Sequence, residues 1–169
     1  MDNKISMNGI YLIIGGNKGD RWQYIQSAIQ HIEAEIGLVQ KMSKVYETSA
    51  WGLEEQAAFL NCVLFIKSDL EPDEVLEKCL HIEKKMGRLR QKKWEPREMD
   101  IDILFYNDRI IHTKKLTIPH PYLAKRRFVL RPLAEIAPQF IHPVFKLTIE
   151  KLLSNCEDPL SVSEYYLSM

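Results

Sequence analysis

The sequence predicts an α+β fold, a ferredoxin-like βαββαβ antiparallel sheet with its helices on one face and a C-terminal extension of short strand, loops and short helices. Three observations predict it. The apolar runs Ile10–Ile14 and Phe59–Ile66, with the stretches Val39–Tyr46 and Asp100–Phe105, read as strands. Two intervening segments repeat their apolar residues at intervals of three and four, the helical period. Glycine or proline punctuates most of the boundaries.

Ile10-Tyr11-Leu12-Ile13-Ile14 is continuous and apolar, as a buried strand requires, and Gly15-Gly16-Asn17 turns the chain after it. Asp20 suits the N-cap of a helix whose stripe is Trp22, Ile25, Ile29, Ile32 and Ile36, with Gly37 as its stop. Val39 to Tyr46 reads as a strand, Glu47 to Gln56 as a loop holding Trp51-Gly52, and Phe59 to Ile66 as a strongly apolar strand. Pro72 fits the first turn of a second helix, and Asp73 and Glu74 favour its positive end. Val75, Leu76, Cys79, Leu80, Ile82 and Met86 form its buried stripe, and Gly87 ends it. In Asp100-Ile101-Asp102-Ile103-Leu104-Phe105, alternation puts both aspartates on one face and Ile101, Ile103 and Phe105 on the other, toward the helices. Asn107-Asp108 reads as a turn into a short strand at Arg109-Ile110-Ile111. Prolines are frequent after His112, so loops are expected there, with short helices near Arg126 to Glu135 and Ile149 to Asn155. No repeat, low-complexity stretch or linker divides the chain, and residues 1–169 are read as one domain.

The chain of 169 residues is 46% hydrophobic and 27% charged, which excludes disorder and gives enough material for one core. Its formal net charge is zero, so bulk attraction to nucleic acid is excluded and any anion binding must be local. Cys62, Cys79 and Cys156 are odd in number and far apart, as buried, reduced thiols of a cytoplasmic protein are. No apolar run reaches membrane-spanning length, and residues 1–8 lack a signal peptide's apolar core.

The chemistry concentrates around Asp100 and Asp102. Two carboxylates on one strand face, roughly 7 Å apart, suit ligands to hard cations that carry phosphates. Just before them run Arg88, Arg90, Lys92, Lys93 and Arg97, with Trp94 among them and Glu95 as the opposing charge. A cationic loop leading into a two-carboxylate strand can hold a polyphosphate through its oxygens and a metal together. Aspartate pairs in strands are more often edge charges, but aspartate is disfavoured at the head of so apolar a strand. Phe59 and Phe128 alone would be core aromatics; Asn61 inside an apolar strand is unusual for a core.

These residues resemble the 6-hydroxymethyl-7,8-dihydropterin pyrophosphokinase family. The matching pieces are Gly15-Gly16-Asn17-Lys18-Gly19-Asp20-Arg21, Tyr46-Glu47-Thr48 with Trp51-Gly52, Phe59-Leu60-Asn61, and Ile82-Glu83 with Gly87-Arg88-Leu89-Arg90. Trp94 with Pro96-Arg97 and Asp100-Ile101-Asp102-Ile103-Leu104, Ile118-Pro119-His120-Pro121, and Arg126-Arg127-Phe128-Val129-Leu130 with Pro132-Leu133 complete the set in order. The resemblance implies transfer of pyrophosphate from ATP to the pterin's hydroxymethyl group, releasing AMP, in a monomeric cytoplasmic enzyme. It implies that Asp100 and Asp102 bind two Mg2+ ions and, with Arg88 and Arg97, form the catalytic set. Phe59 and Phe128 would sandwich the pterin, Asn61 would read its polar edge, and Thr48, Ser49, Ala50, Trp51 and Trp94 would line it. Glu83, Arg88, Arg90, Arg97, Ile103, His120 and Arg126 would meet the nucleotide. Three places depart from the family pattern: Gly16 stands for a usual Ser, Glu95 for a usual Gly, and Ser49-Ala50 fill a stretch that often carries proline.

Residue chemistry alone leaves two alternatives. A ferredoxin-like RNA-binding module would need exposed aromatics on the central strands, and two acids there would repel phosphate unless metal is bound. A metal-dependent phosphohydrolase would need a water-activating base beside the same acids, and none stands out. Nor do the residues alone choose between attack at the β- and at the γ-phosphorus.

Overall fold

The computed structural model describes residues 7–49, 57–87 and 99–167. Its elements are β1 (Asn8–Gly16), α1 (Arg21–Glu35), β2 (Leu38–Met42), β3 (Tyr46–Thr48), β4 (Phe59–Ser68), α2 (Pro72–Lys85) and β5 (Asp100–Tyr106). Then follow β6 (Ile111–His112), β7 (Thr117–Ile118), a 3-10 turn (Leu123–Lys125), α3 (Arg127–Ile136), α4 (Ile149–Ser154) and β8 (Val162–Glu164). The main sheet runs β5-β1-β4-β3-β8, all antiparallel, with β2 pairing the far half of β4. The expected α+β fold is present.

Helix boundaries follow the local chemistry. Asp20 accepts from the Gln23 backbone N–H at 3.1 Å and starts α1. Glu74 reaches back to accept from the Glu71 backbone N–H at 2.8 Å at the start of α2, with Pro72 in the first turn. Gly87 takes a φ of 89° just past the end of α2, where a side chain would be strained.

The sheet is covered on both faces. Ile10, Leu12, Ile14, Leu60, Cys62, Leu64 and Ile66 meet Ile25, Ala28, Ile32, Val75, Cys79 and Ile82 of α1 and α2. On the opposite face Tyr11, Ile13, Val63, Leu104 and Phe105 meet Leu130, Leu133, Ile149 and Leu152, so α3 and α4 of the C-terminal extension close the second core. Each fully buried Ile or Leu is worth about 1.5–3 kcal/mol against exposure, so both layers matter to stability.

Four expectations are corrected. The strand foreseen over Val39–Tyr46 is two strands, because Ser43 breaks it: its Oγ accepts the Val63 N–H at 2.9 Å, where a ladder carbonyl would otherwise stand. Glu47 and Thr48 therefore lie in β3 and not in a loop. The strand foreseen at Arg109–Ile111 begins at Ile111 and pairs only with β7. Phe105 faces α3 and α4, because a bulge at Leu104 shifts the register between Tyr11 and Leu12 and turns Leu104 and Phe105 to the same side.

Candidate functional site

The register assembles a face. Tyr46 pairs Asn61, Asn61 pairs Gly15, and Gly15 pairs Asp100, so these four residues form one line across β3, β4, β1 and β5. Directly paired residues point to the same side of a sheet. Phe59 and Thr48 pair on the next rung on that side, and Asp102 follows Asp100, paired to Ile13. Ile101 and Ile103 are buried on the other side beneath α1 and α2. Asp100 and Asp102 thus share the face expected for them, Asp102 exposed and Asp100 partly so.

Gly15 makes the floor of this face. A Cβ on it would stand 2.0 Å from Asn61 Oδ1 and 2.3 Å from the Leu60 carbonyl, so the Asn61 amide lies where a side chain would be. Asn61 is buried, and Asp100 lies two strands away, roughly 10 Å. Thr48 Oγ1 is also buried and has no hydrogen-bond partner among the described residues. A buried hydroxyl left unpaired costs about 1–3 kcal/mol, which marks it as awaiting a partner.

The N-terminal end of β4 is held from behind. Arg21 Nη1 donates to Glu47 Oε2 and to the Ala58 carbonyl, both at 2.7 Å, and Asn17 Nδ2 donates to the Ala57 carbonyl at 3.1 Å. These bonds fix the residues immediately before Phe59. On the covering layer, Tyr46 donates its hydroxyl to Glu135 Oε1 at 2.7 Å, tying α3 to β3, and burial with that carboxylate pushes Tyr46 up to about 12. Phe128 sits half-buried at the start of α3.

A second group borders β5. The His120 backbone N–H donates to the Leu104 carbonyl at 3.0 Å, and its Nδ1 accepts from the Tyr122 N–H at 3.2 Å. Burial and the Arg126 guanidinium push His120 down to about 4, so the imidazole is neutral near pH 7, with its proton on Nε2. The Arg126 guanidinium lies 5.0 Å from the Tyr122 ring centre and 5.7 Å from that of Phe128. Glu83 is buried on α2. Ile103 turns its side chain away from the face, so only its backbone, on an end strand of the sheet, is available to a ligand.

A family model for 7,8-dihydro-6-hydroxymethylpterin-pyrophosphokinase matches residues 11–138. The chain belongs to that pyrophosphokinase family. It is 48% identical over 145 residues to the 2-amino-4-hydroxy-6-hydroxymethyldihydropteridine pyrophosphokinase of Aquifex aeolicus, covering 86% of this chain and 90% of the relative. The enzyme of the same name from Bacillus subtilis is 44% identical over 135 residues, 79% of this chain and 81% of that one. Among solved structures, a Plasmodium falciparum HPPK-DHPS chain superposes with a TM-score of 0.74 at 19% identity, which speaks for the fold. The match covers 88% of this chain but 42% of that longer one. Membership displaces the RNA-binding and phosphohydrolase alternatives.

Of the residues expected to serve this pyrophosphokinase site, Thr48, Phe59, Asn61, Asp100 and Asp102 share the face, while Ser49 is the exposed residue after β3. Phe128, His120 and Arg126 belong to the covering layer and its approach. Ala50, Trp51, Arg88, Arg90, Trp94, Glu95 and Arg97 lie outside the described residues. Sequence reasoning assigned no role to Gly15, Asn17 or Arg21, although all three stand in the Gly15-to-Arg21 motif, which was the signal. Tyr122 carried no signal beyond its place after Pro121.

Proposed function

We propose that the chain moves a diphosphoryl group from ATP to the hydroxymethyl oxygen of 6-hydroxymethyl-7,8-dihydropterin and releases AMP, a step of folate biosynthesis. The line Asn61-Gly15-Asp100 carries the reading, because it sets a polar reader and an unpaired Thr48 hydroxyl on one side and two carboxylates on the other. The pterin ring lies between Phe59 and Phe128, with the Asn61 amide and Thr48 meeting its edge. The hydroxymethyl oxygen forms the new bond to the β-phosphorus, the bond from that phosphorus to the α–β bridging oxygen breaks, AMP leaves with the electron pair, and the hydroxyl proton passes to solvent. Such a transfer asks the protein mainly for positioning and charge.

Asp100 and Asp102 fit Mg2+. Their oxygens are hard donors on an open face, and no described cluster of three or more acids, histidines or cysteines makes a closed metal cage. Two carboxylates completed by phosphate oxygens and water are the set that Mg2+ accepts, and two ions are assigned to them. Bound there, the metal neutralises and orients the phosphates. Arg88, Arg97 and Arg90 supply further positive charge along the phosphates. His120 offers a neutral N–H donor, and Glu83, Arg126 and the Ile103 backbone complete the nucleotide side. A cytoplasmic setting accords with the buried, unbridged thiols of Cys62 and Cys79, both pushed up to about 12 by burial.

Chromatography of the reaction mixture decides the matter. AMP should appear with the pterin diphosphate, and only when the hydroxymethylpterin is present; ADP, or pterin-independent hydrolysis, rejects the assignment.

A further inference from the structure

We propose that residues 156–165 form a strap that sets the geometry of the pterin pocket, with Asp158 and Tyr165 as positioning residues; this rests on reading Thr48, Phe59, Asn61 and Phe128 as the pterin contacts. The strap lies beyond the residues that the family model matches. It holds the pocket at two places.

At its start it fixes α3. The Asp158 carboxylate accepts from the Arg127 backbone N–H at 3.0 Å, at the first residue of the helix. Helix starts have N–H groups without internal partners and favour anions, and Arg126 at the cap supplies no side-chain acceptor of its own. The Arg127 side chain binds the same segment, Nη2 donating to the carbonyls of Cys156 at 2.9 Å and Asp158 at 3.2 Å. Phe128 is the next residue, so the strap sets the end of the helix that carries one face of the ring sandwich.

At its far end it fixes β3 and β4. Val162 pairs Thr48 in the β3–β8 ladder, and the Tyr165 N–H donates to the Val45 carbonyl at 2.8 Å. The Tyr165 ring lies 5.4 Å beneath the Arg21 guanidinium, the group that binds Glu47 beside Thr48 and the Ala58 carbonyl beside Phe59. Removing the ring frees that guanidinium and loosens both neighbours together. The nucleotide side is remote from this end: β8 and β5 are the two outer strands of the sheet order, roughly 19 Å apart. Arg126 keeps its own support over Tyr122 at 5.0 Å. The strap therefore acts on one substrate.

The test uses the full chain carrying Asp158→Ala, Tyr165→Ala or Tyr165→Phe. Pterin affinity is titrated with a non-hydrolysable ATP analogue at saturation, the analogue is titrated separately, KM and kcat are measured, and melting is followed. Asp158→Ala and Tyr165→Ala should each weaken the pterin by roughly three- to tenfold in Kd and KM. The nucleotide should stay within about twofold, and Tyr165→Phe, which keeps the ring, should match the wild type. Parallel weakening of both ligands, unchanged pterin affinity, or damage from Tyr165→Phe equal to that from Tyr165→Ala overturns the proposal. Asp158→Ala decides alone should Tyr165→Ala not fold. Phe128→Ala separates the two levels. Silent strap variants beside a damaged Phe128→Ala reject the strap and leave the pocket; an intact Phe128→Ala removes the pocket, and the strap with it.

Discussion

Gly15→Ala probes the floor of the pocket. The added methyl would stand 2.0 Å from Asn61 Oδ1 and 2.3 Å from the Leu60 carbonyl, where ordinary contact begins at 3.4 Å. The amide can swing away; the carbonyl is backbone, so β1 and β4 must part by about an ångström at that rung. The first movement takes a polar partner from the pterin, worth about 1–3 kcal/mol, or roughly a 5- to 150-fold rise in Kd. The second costs about 1–3 kcal/mol of fold stability. Pterin titration in saturating ATP analogue reads one effect, and urea unfolding reads the other. Combined with Asn61→Ala, the change should weaken pterin binding by clearly less than the sum of the two single losses, because the amide is already gone. Wild-type pterin affinity in Gly15→Ala, or losses that add in the double variant, would refute the placement of Asn61 over Gly15.

Two further outcomes are expected. Asp100→Asn and Asp102→Asn should each lower turnover by about a hundredfold or more; a variant that melts early yet turns over normally would make the pair structural. His120 is held from an ordinary 6.5 down to about 4 in the folded chain, so between these values the unfolded state takes up a proton that the folded state refuses. It therefore costs the fold nothing above pH 6.5, and a penalty on folding grows as pH falls toward 4, at most about 3 kcal/mol at about 1.4 kcal/mol per pH unit. His120→Asn, which keeps an acceptor for the Tyr122 N–H, should flatten urea-unfolding stability across that window, and a curve parallel to the wild type would exclude the role.

The parts of this fold legible in the sequence are those governed by local rules. The stripe from Trp22 to Ile36 and the Asp20 cap placed α1, the Pro72 start and Gly87 stop placed α2, and strand alternation put Asp100 and Asp102 on one side. What was missed depends on partners distant in the chain. Leu104 gives no sign of a bulge, since neither it nor its neighbours are glycine, and Phe105 was assigned the wrong face for that reason. Ser43 interrupts a strand only because Val63 supplies the donor. Asp158 and Tyr165 act through a backbone N–H and one guanidinium, contacts that leave no periodicity to read. Of the pocket, Asn61 announced itself by being polar in an apolar run, whereas Gly15 looked like an ordinary turn residue.

The two faces of the sheet are not finished at the same moment when the chain is made on a ribosome. Nearly all of the first core lies between β1 and β5, whereas the second awaits α3 and α4. Some sixty residues separate the end of β5 from the end of β8, roughly 3–12 s of synthesis. During that interval Tyr11, Ile13 and Val63 lie on a bare flank of an otherwise formed sheet, the kind of surface that attracts chaperones or other nascent chains. The second core is thus closed only once α3 and α4 have emerged, and a slow codon within α3 prolongs the exposed state without altering one residue of the product.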